Sequence, residues 1–255
     1  MILINAIYFK GIWKKEFDKN LTEKRKFINF KKEQKLVDFM YKNEYFKYYE
    51  NENLKTISLD YKDDNMEALI ILPKNEYNIN NYIKNFNQKT YNEIISGLHM
   101  EKVCWYLPKF KIEFSDELTK YFLNLGIKLA FDKILADFSE IKKIGKTRNI
   151  FIQQIIHKAY IEIDEKGTET AAVTEIGMFD EEIAIEEEKE EYFIMDIDHP
   201  FLFIIRNKKL SSEHDMLFIC KIEDLYDEDK NIQKKSESIN TNKNRSRSRS
   251  RSKKK

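Results

Sequence analysis

Residues 157–174 read H-K-A-Y-I-E-I-D-E-K-G-T-E-T-A-A-V-T. The stretch changes character halfway. Up to Ile163 it continues an apolar, β-prone run, and a long strand is expected from about Asn149 to Ile163. Past Gly167 it turns small and largely uncharged, in a chain that is 35% charged and holds 6 glycines. Thr168, Thr170, Ala172, Thr174, Ile176 and Met178 fall on one face of an extended chain. Glu169, Ala171, Val173, Glu175, Gly177 and Phe179 fall on the other. Such a pattern suits a strand that slips between two neighbours, where large or charged inward groups would block the way. A flexible surface loop has the same composition, so these residues alone leave both readings open.

The rest of the chain sets bounds. Its 255 residues are enough for one large domain or two small ones, and a 42% hydrophobic content suffices for a sizeable core. The net charge of +1 hides segregation: residues 180–198 are acidic, with a dense run from Asp180 to Glu191 broken by Lys189, whereas the C-terminal end is basic. From Asp227 onward apolar residues nearly vanish, so 227–255 is expected to be a disordered tail. Cys104 and Cys220 sit far apart in apolar runs, which predicts buried thiols rather than a disulfide or a metal site. No apolar run approaches the roughly 20 residues that span a membrane. The opening M-I-L-I-N-A-I-Y-F-K-G lacks the basic start and small-residue cleavage site of a signal peptide and reads as the middle of a strand.

Along the chain, residues 2–9 predict a strand buried on both faces, closed by Lys10-Gly11. A polar stretch follows. Short runs at 37–41, 45–49, 55–61 and 66–73 then predict an antiparallel meander stopped by Pro73. Ile79, Tyr82, Ile83 and Phe86 have helical spacing within 78–97. Residues 103–114 predict a strand pair hinged at Pro108. A helix follows, capped by Ser115, with Leu118, Phe122 and Leu125 on its apolar face and Gly126 at its end. Runs at 199–206 and 216–222 predict two closing strands. No repeat is visible.

Six stretches, in order, resemble one family, the serpins. N-A-I-Y-F-K-G-x-W-x-x-x-F covers Asn5 to Gly11, Trp13 and Phe17. L-P-K-F-K-I-E lies at 107–113, L-G-I at 125–127 and A-D-F-S at 136–139. H-K-A-x-x-x-I-D-E-K-G-T-E spans 157–169, and D-H-P-F-L-F-I-I-R spans 198–206. The first match belongs near the middle of that fold. The resemblance therefore implies an α+β serpin fold in truncated form, mostly β in the part present, with the N-terminal helices and part of the main sheet missing. It implies a serpin domain over 1–226, with a reactive-centre loop at about 165–198. An uncovered apolar sheet face is expected, which favours aggregation or partner binding.

The same resemblance implies a mechanism. Glu165, Lys166, Gly167 and Thr168 match the hinge of the reactive-centre loop, and Glu169, Thr170, Ala171, Ala172, Val173 and Thr174 match the small-residue segment beyond it. In inhibitory serpins a protease attacks the loop and forms an acyl-enzyme; the cleaved loop then inserts as a new central strand and carries the protease away. Thr170 and Val173 are larger than the family's usual alanine. The family's spacing from Glu165 puts the residue before the cut at Glu181, with Glu182 after it. The stretch between Thr174 and His199 is longer than usual, so Asp180 is a further candidate, and Lys189 would suit a trypsin-like enzyme instead. An acidic residue in that position suits a protease with a basic primary pocket. Asn5, Trp13 and His157 match a structural cluster of the family; from sequence alone His157 reads as a satisfied core histidine.

No serine, histidine and carboxylate set suggests catalysis, no glycine-rich phosphate loop occurs, and the histidines lack metal-ligand spacing. The chain is therefore expected to be no enzyme, with no cofactor and no metal. The expected partner is a target serine protease, with cysteine proteases as the second class, and no membrane. The alternative function is a non-inhibitory remnant acting as a binding or structural protein. Arg245, Arg247, Arg249 and Arg251 alternate with serines, a pattern able to bind nucleic acid electrostatically through the tail only. The resemblance favours an extracellular location for a full-length parent.

Overall fold

The computed structural model describes residues 1–74, 78–141, 150–168 and 192–225. In chain order the first strands are β1 (Ile2–Tyr8), β2 (Gly11–Ile12), β3 (Glu23–Ile28), β4 (Gln34–Glu50), β5 (Leu54–Asp60) and β6 (Met66–Pro73). Helices α1 (Ile79–Asn85) and α2 (Gln88–Gly97) follow, then β7 (His99–Pro108), β8 (Phe110–Glu117) and α3 (Thr119–Asn124). The last strands are β9 (Gln154–Ile163), β10 (Gly167–Thr168), β11 (Phe193–Asp196), β12 (Phe201–Asn207) and β13 (Met216–Ile222). The chain divides into two compact units, one of Met1–Ile12 with Lys111–Ala171 and one of Trp13–Phe110 with Ala172–Lys255.

The first unit is built on a five-stranded sheet of order β1-β9-β10-β2, with β8 also paired to β9. Strand β1 departs from the sequence expectation: Ile2 is 52% exposed and Ile4 67%. Continuous apolar sequence normally marks a strand covered on both faces, but β1 is an edge strand here, and among the described residues its faces stay open. Helix α3 also departs from expectation. Strand β8 runs on through Ser115 to Glu117, so Ser115 caps nothing. The helix is tied instead by the Glu117 carboxylate, which accepts the Thr119 N–H at 2.9 Å. Hydrogen bonding from the Thr119 side chain, and then from its N–H, holds the Glu117 carboxyl below its usual range.

The second unit holds an eight-stranded sheet of order β11-β7-β4-β5-β6-β12-β13, with β3 paired to β4. Strand β6 is buried along its length, as is β12 up to its last residue. Helices α1 and α2 close one face through Ile79, Tyr91 and Ile94, packed on Leu69, Ile71 and Ile204. They are two helices rather than one because Asn87 interrupts the run and caps the second: its side chain accepts the N–H groups of Lys89 and Thr90, and Thr90 returns the bond. Elsewhere in this unit Trp105 meets Phe17 and Phe46 edge-on, each at 5.4 Å between ring centres.

Two expected strands, 37–41 and 45–49, prove to be one. The polar residues between them do not break β4, because Lys42, Asn43 and Glu44 stay in register with Trp105, Cys104 and Val103. Lys42 is tolerated at 7% exposure since its ammonium donates to the Lys15 carbonyl at 3.0 Å. Burial lowers its pKa. A charged cluster sits deeper. Glu67 and Asp215 are fully buried and flank Arg206, whose Nε and Nη1 donate to them at 2.6 and 2.7 Å. Tyr91 donates to Asp215 at 2.9 Å and Ser58 to Glu67 at 2.9 Å, so each buried carboxylate is both paired and hydrogen-bonded. Cys104 and Cys220 are free and half-buried.

Candidate functional site

The site grows from the ladder between β1 and β9. These strands are parallel and pair directly, from Ile2 opposite Gln154 to Tyr8 opposite Tyr160. Asn5 stands opposite His157, with Nδ2 3.4 Å from the imidazole Nδ1, and the Phe114 ring lies 6.1 Å from the histidine ring. Above the Tyr8–Tyr160 rung the ladder forks. Three residues further along both strands, Gly11 and Ile163 no longer pair with each other, because both pair with Thr168 of β10. Strand β10 is antiparallel to both neighbours, so the chain has turned back from β9 and put its first two residues between β9 and β2.

The turn that achieves this is short, and Asp164 organises it. Its carboxylate accepts the N–H groups of Lys166 at 2.9 Å and Gly167 at 3.0 Å, while its own N–H donates to the Gly167 carbonyl at 2.9 Å. An aspartate bonding its own backbone two or three residues on is a turn-former in its own right. Gly167 is required by space as well as by conformation. Its φ is +151°, and a Cβ there would lie 2.1 Å from the Gly11 carbonyl oxygen. Thr168 is fully buried and Glu165 is 3% exposed.

Just below the fork, Tyr8 and Tyr160 stack with ring centres 5.8 Å apart and an interplanar angle of 27°. Tyr160 donates its hydroxyl to Glu162, and the Lys111 ammonium lies 5.1 Å from the centre of its ring. Hydrogen bonding to the Tyr160 hydroxyl raises the Lys111 pKa above the usual lysine value. Partial burial, and then the bond to Glu162, raise that of Tyr160.

The structure thus brings together Asn5 and His157, and it gathers Glu165, Lys166, Gly167 and Thr168 in one turn. Trp13, the third residue of the expected cluster, belongs to the second unit, where it is fully buried and stacks on Tyr61 at 4.5 Å. Glu169, Thr170, Ala171, Ala172, Val173 and Thr174 lie outside the described residues, as do Asp180, Glu181, Glu182 and Lys189, and the tail beyond 225. The tyrosine pair, Asp164 and strand β2 were not anticipated. Asp164 carried a readable signal, an aspartate three residues before a glycine. The tyrosine pair did not, since its two members are 152 positions apart. Among the described residues no cluster of histidine, cysteine or carboxylate groups could hold a metal, and no helix is long and apolar enough to cross a membrane.

A family model described as Serpin (serine protease inhibitor) matches residues 1–225. An uncharacterised serpin-like protein of Methanosarcina acetivorans is 36% identical over 224 residues, which are 88% of this chain and 50% of that protein. A leukocyte elastase inhibitor of Equus caballus is 32% identical over 215 residues, 81% of this chain and 54% of that protein. Among solved structures, the thermophilic serpin tengpin in its native state is similar at a TM-score of 0.73 and 28% identity, covering 88% of this chain and 55% of that one. The chain spans about half the length of the relatives it matches.

Proposed function

The chain belongs to the serpin family, as the C-terminal portion of the domain, and from this we propose that it serves as an inhibitor of serine proteases that traps its target through loop cleavage and strand insertion. One observation carries the reading: Thr168 already lies between Ile163 and Gly11, antiparallel to both. A strand that extends from this point has its path defined by β1 on one side and β9 on the other. The direct pairing of β1 with β9 below the fork supports a closed state that the loop would open. Small residues from Thr168 to Thr174 suit such an insertion, because side chains on the inward face must pass between two packed strands.

In this reading Glu165 to Thr168 form the hinge, Glu169 to Thr174 the first inserted segment, and Glu181–Glu182 the reactive bond, with Asp180 as the neighbouring candidate. An acidic residue before the cut assigns the target to proteases with a basic primary pocket. The test is incubation with proteases of acidic, basic and apolar preference, followed by denaturing gels and N-terminal sequencing of the released peptide. A complex that survives denaturation, with a cut after Glu181 or Asp180, is the expected result. Clean cleavage without a complex would overturn inhibition by this chain.

A further inference from the structure

We propose that the stacked pair Tyr8–Tyr160 is the latch of the slot, the contact that must part before the loop can advance beyond Thr168, and that it governs the rate of insertion. The inference rests on the insertion reading above. It follows from register. Thr168 is level with Gly11 and Ile163. An antiparallel strand continuing from there moves down one rung per residue on both sides. Thr170 then faces Phe9 and Ile161, Ala171 faces Tyr8 and Tyr160, and Thr174 comes to rest between Asn5 and His157.

The first closed rung in the path is therefore the tyrosine rung. A side-chain contact adds to the backbone ladder here, with the two rings stacked at 5.8 Å, three rungs before the Asn5–His157 contact is reached. Neighbouring strands in a sheet stand about 4.8 Å apart, so admitting a strand between β1 and β9 roughly doubles the separation and destroys the stack. The second ring is braced: Tyr160 is held through its hydroxyl by Glu162, and Lys111 lies against its face. Separating the rings thus also disturbs a place where an aromatic pair, a cation and a carboxylate meet. Ala171 is the residue that register delivers between the tyrosines, and its single methyl fits where a large side chain would have to displace both rings.

The test uses a labelled synthetic peptide with the sequence of residues 169–178, offered to the full chain, with uptake followed by fluorescence anisotropy and native gels. Tyr8→Ala is expected to speed uptake on the order of 2- to 10-fold, the size an aromatic pair carries. Tyr8→Phe keeps the stack and should stay near the wild-type rate. Tyr8 is 55% exposed, so its truncation does not threaten the core; should Tyr8→Ala nevertheless fail to fold, Tyr160→Leu serves in its place. The peptide-loaded forms of wild type and variant should melt together, because the stack is already broken in both, whereas a merely structural role would lower the melting point of the loaded form as well. Equal uptake rates for wild type and Tyr8→Ala would overturn the latch while leaving insertion intact. A wild-type chain that takes up no peptide would overturn insertion, and the latch with it.

Discussion

Gly11 and Ile163 stand level with one another across Thr168, in the register that the β1–β9 ladder would have given them had nothing come between. The wedge is thus in frame with the strands it separates. Its geometry depends on Gly167, whose absent side chain leaves the Gly11 carbonyl room to approach. Replacing Gly167 with Ala should expel β10 from the fork. The expected cost is more than about 1 kcal/mol, since both the positive φ and the clash oppose it. Hydrogen exchange at residues 167 and 168 is the measurement, and unchanged protection in the variant would show that the wedge does not need the glycine.

Asp164→Ala removes an acceptor from the Lys166 and Gly167 N–H groups without adding bulk. The turn should loosen by about 1–2 kcal/mol, the usual worth of a side chain that closes two backbone donors. Asp164→Asn keeps an acceptor oxygen and should recover most of the loss. Urea denaturation of the three chains checks the order wild type, Asn, Ala.

The strands and the turn leading into β10 were legible to different degrees, for physical reasons. The strands ending at Pro73 and Pro108 could be placed because proline cannot continue a ladder or bends it, a local signal. Glu165 to Thr168 were singled out through the serpin resemblance alone; the turn they form around Asp164 and Gly167 is written in adjacent residues but was not read from them. Ser115 misled because its value as a helix cap depends on where β8 stops, and β8 continues past it through pairing with a distant strand. The exposure of β1 runs against the reading of its own residues as a strand buried on both faces, though not against the uncovered sheet face that the resemblance implied, because apolar sequence specifies a need for cover without specifying what supplies it. Lys42 and Glu44 suggested a break that Trp105 and Val103 cancel from across the sheet. Likewise, the Tyr8–Tyr160 stack arises from the register of a parallel pair, which no local pattern encodes.

Arg206 lies between two fully buried carboxylates, Glu67 and Asp215. Replacing it with Met would leave both without their guanidinium, an outcome far costlier than the loss of a surface ion pair. A loss of about 3–5 kcal/mol is expected, read as a lower urea midpoint. A variant as stable as wild type at neutral pH would mean that the Lys47 and Lys208 ammonium groups, at 3.2 and 3.9 Å from Glu67, suffice for that carboxylate.

His199 gives the second unit a distinct pH dependence. Its Nδ1 lies 2.7 Å from the Asp198 carboxylate and its Nε2 2.6 Å from the Pro73 carbonyl, so both ring nitrogens face acceptors. A neutral imidazole can donate to one of them, an imidazolium to both. Burial by itself would lower the pKa, but Asp198 and the Pro73 carbonyl outweigh it and raise the value above the ordinary 6.5. A folded-state pKa above the unfolded one means that the folded state holds its proton more tightly. The resulting stabilisation is fully present below pH 6.5 and fades as pH rises through the raised folded value. Wild type should therefore lose stability across that window on the alkaline side of 6.5, whereas His199→Gln, which cannot titrate, should follow a flatter curve. Urea midpoints for both chains, taken from acid to mildly alkaline pH, decide the matter. Parallel curves would show that the imidazolium contributes nothing to the junction between the end of β6 and the segment leading into β12.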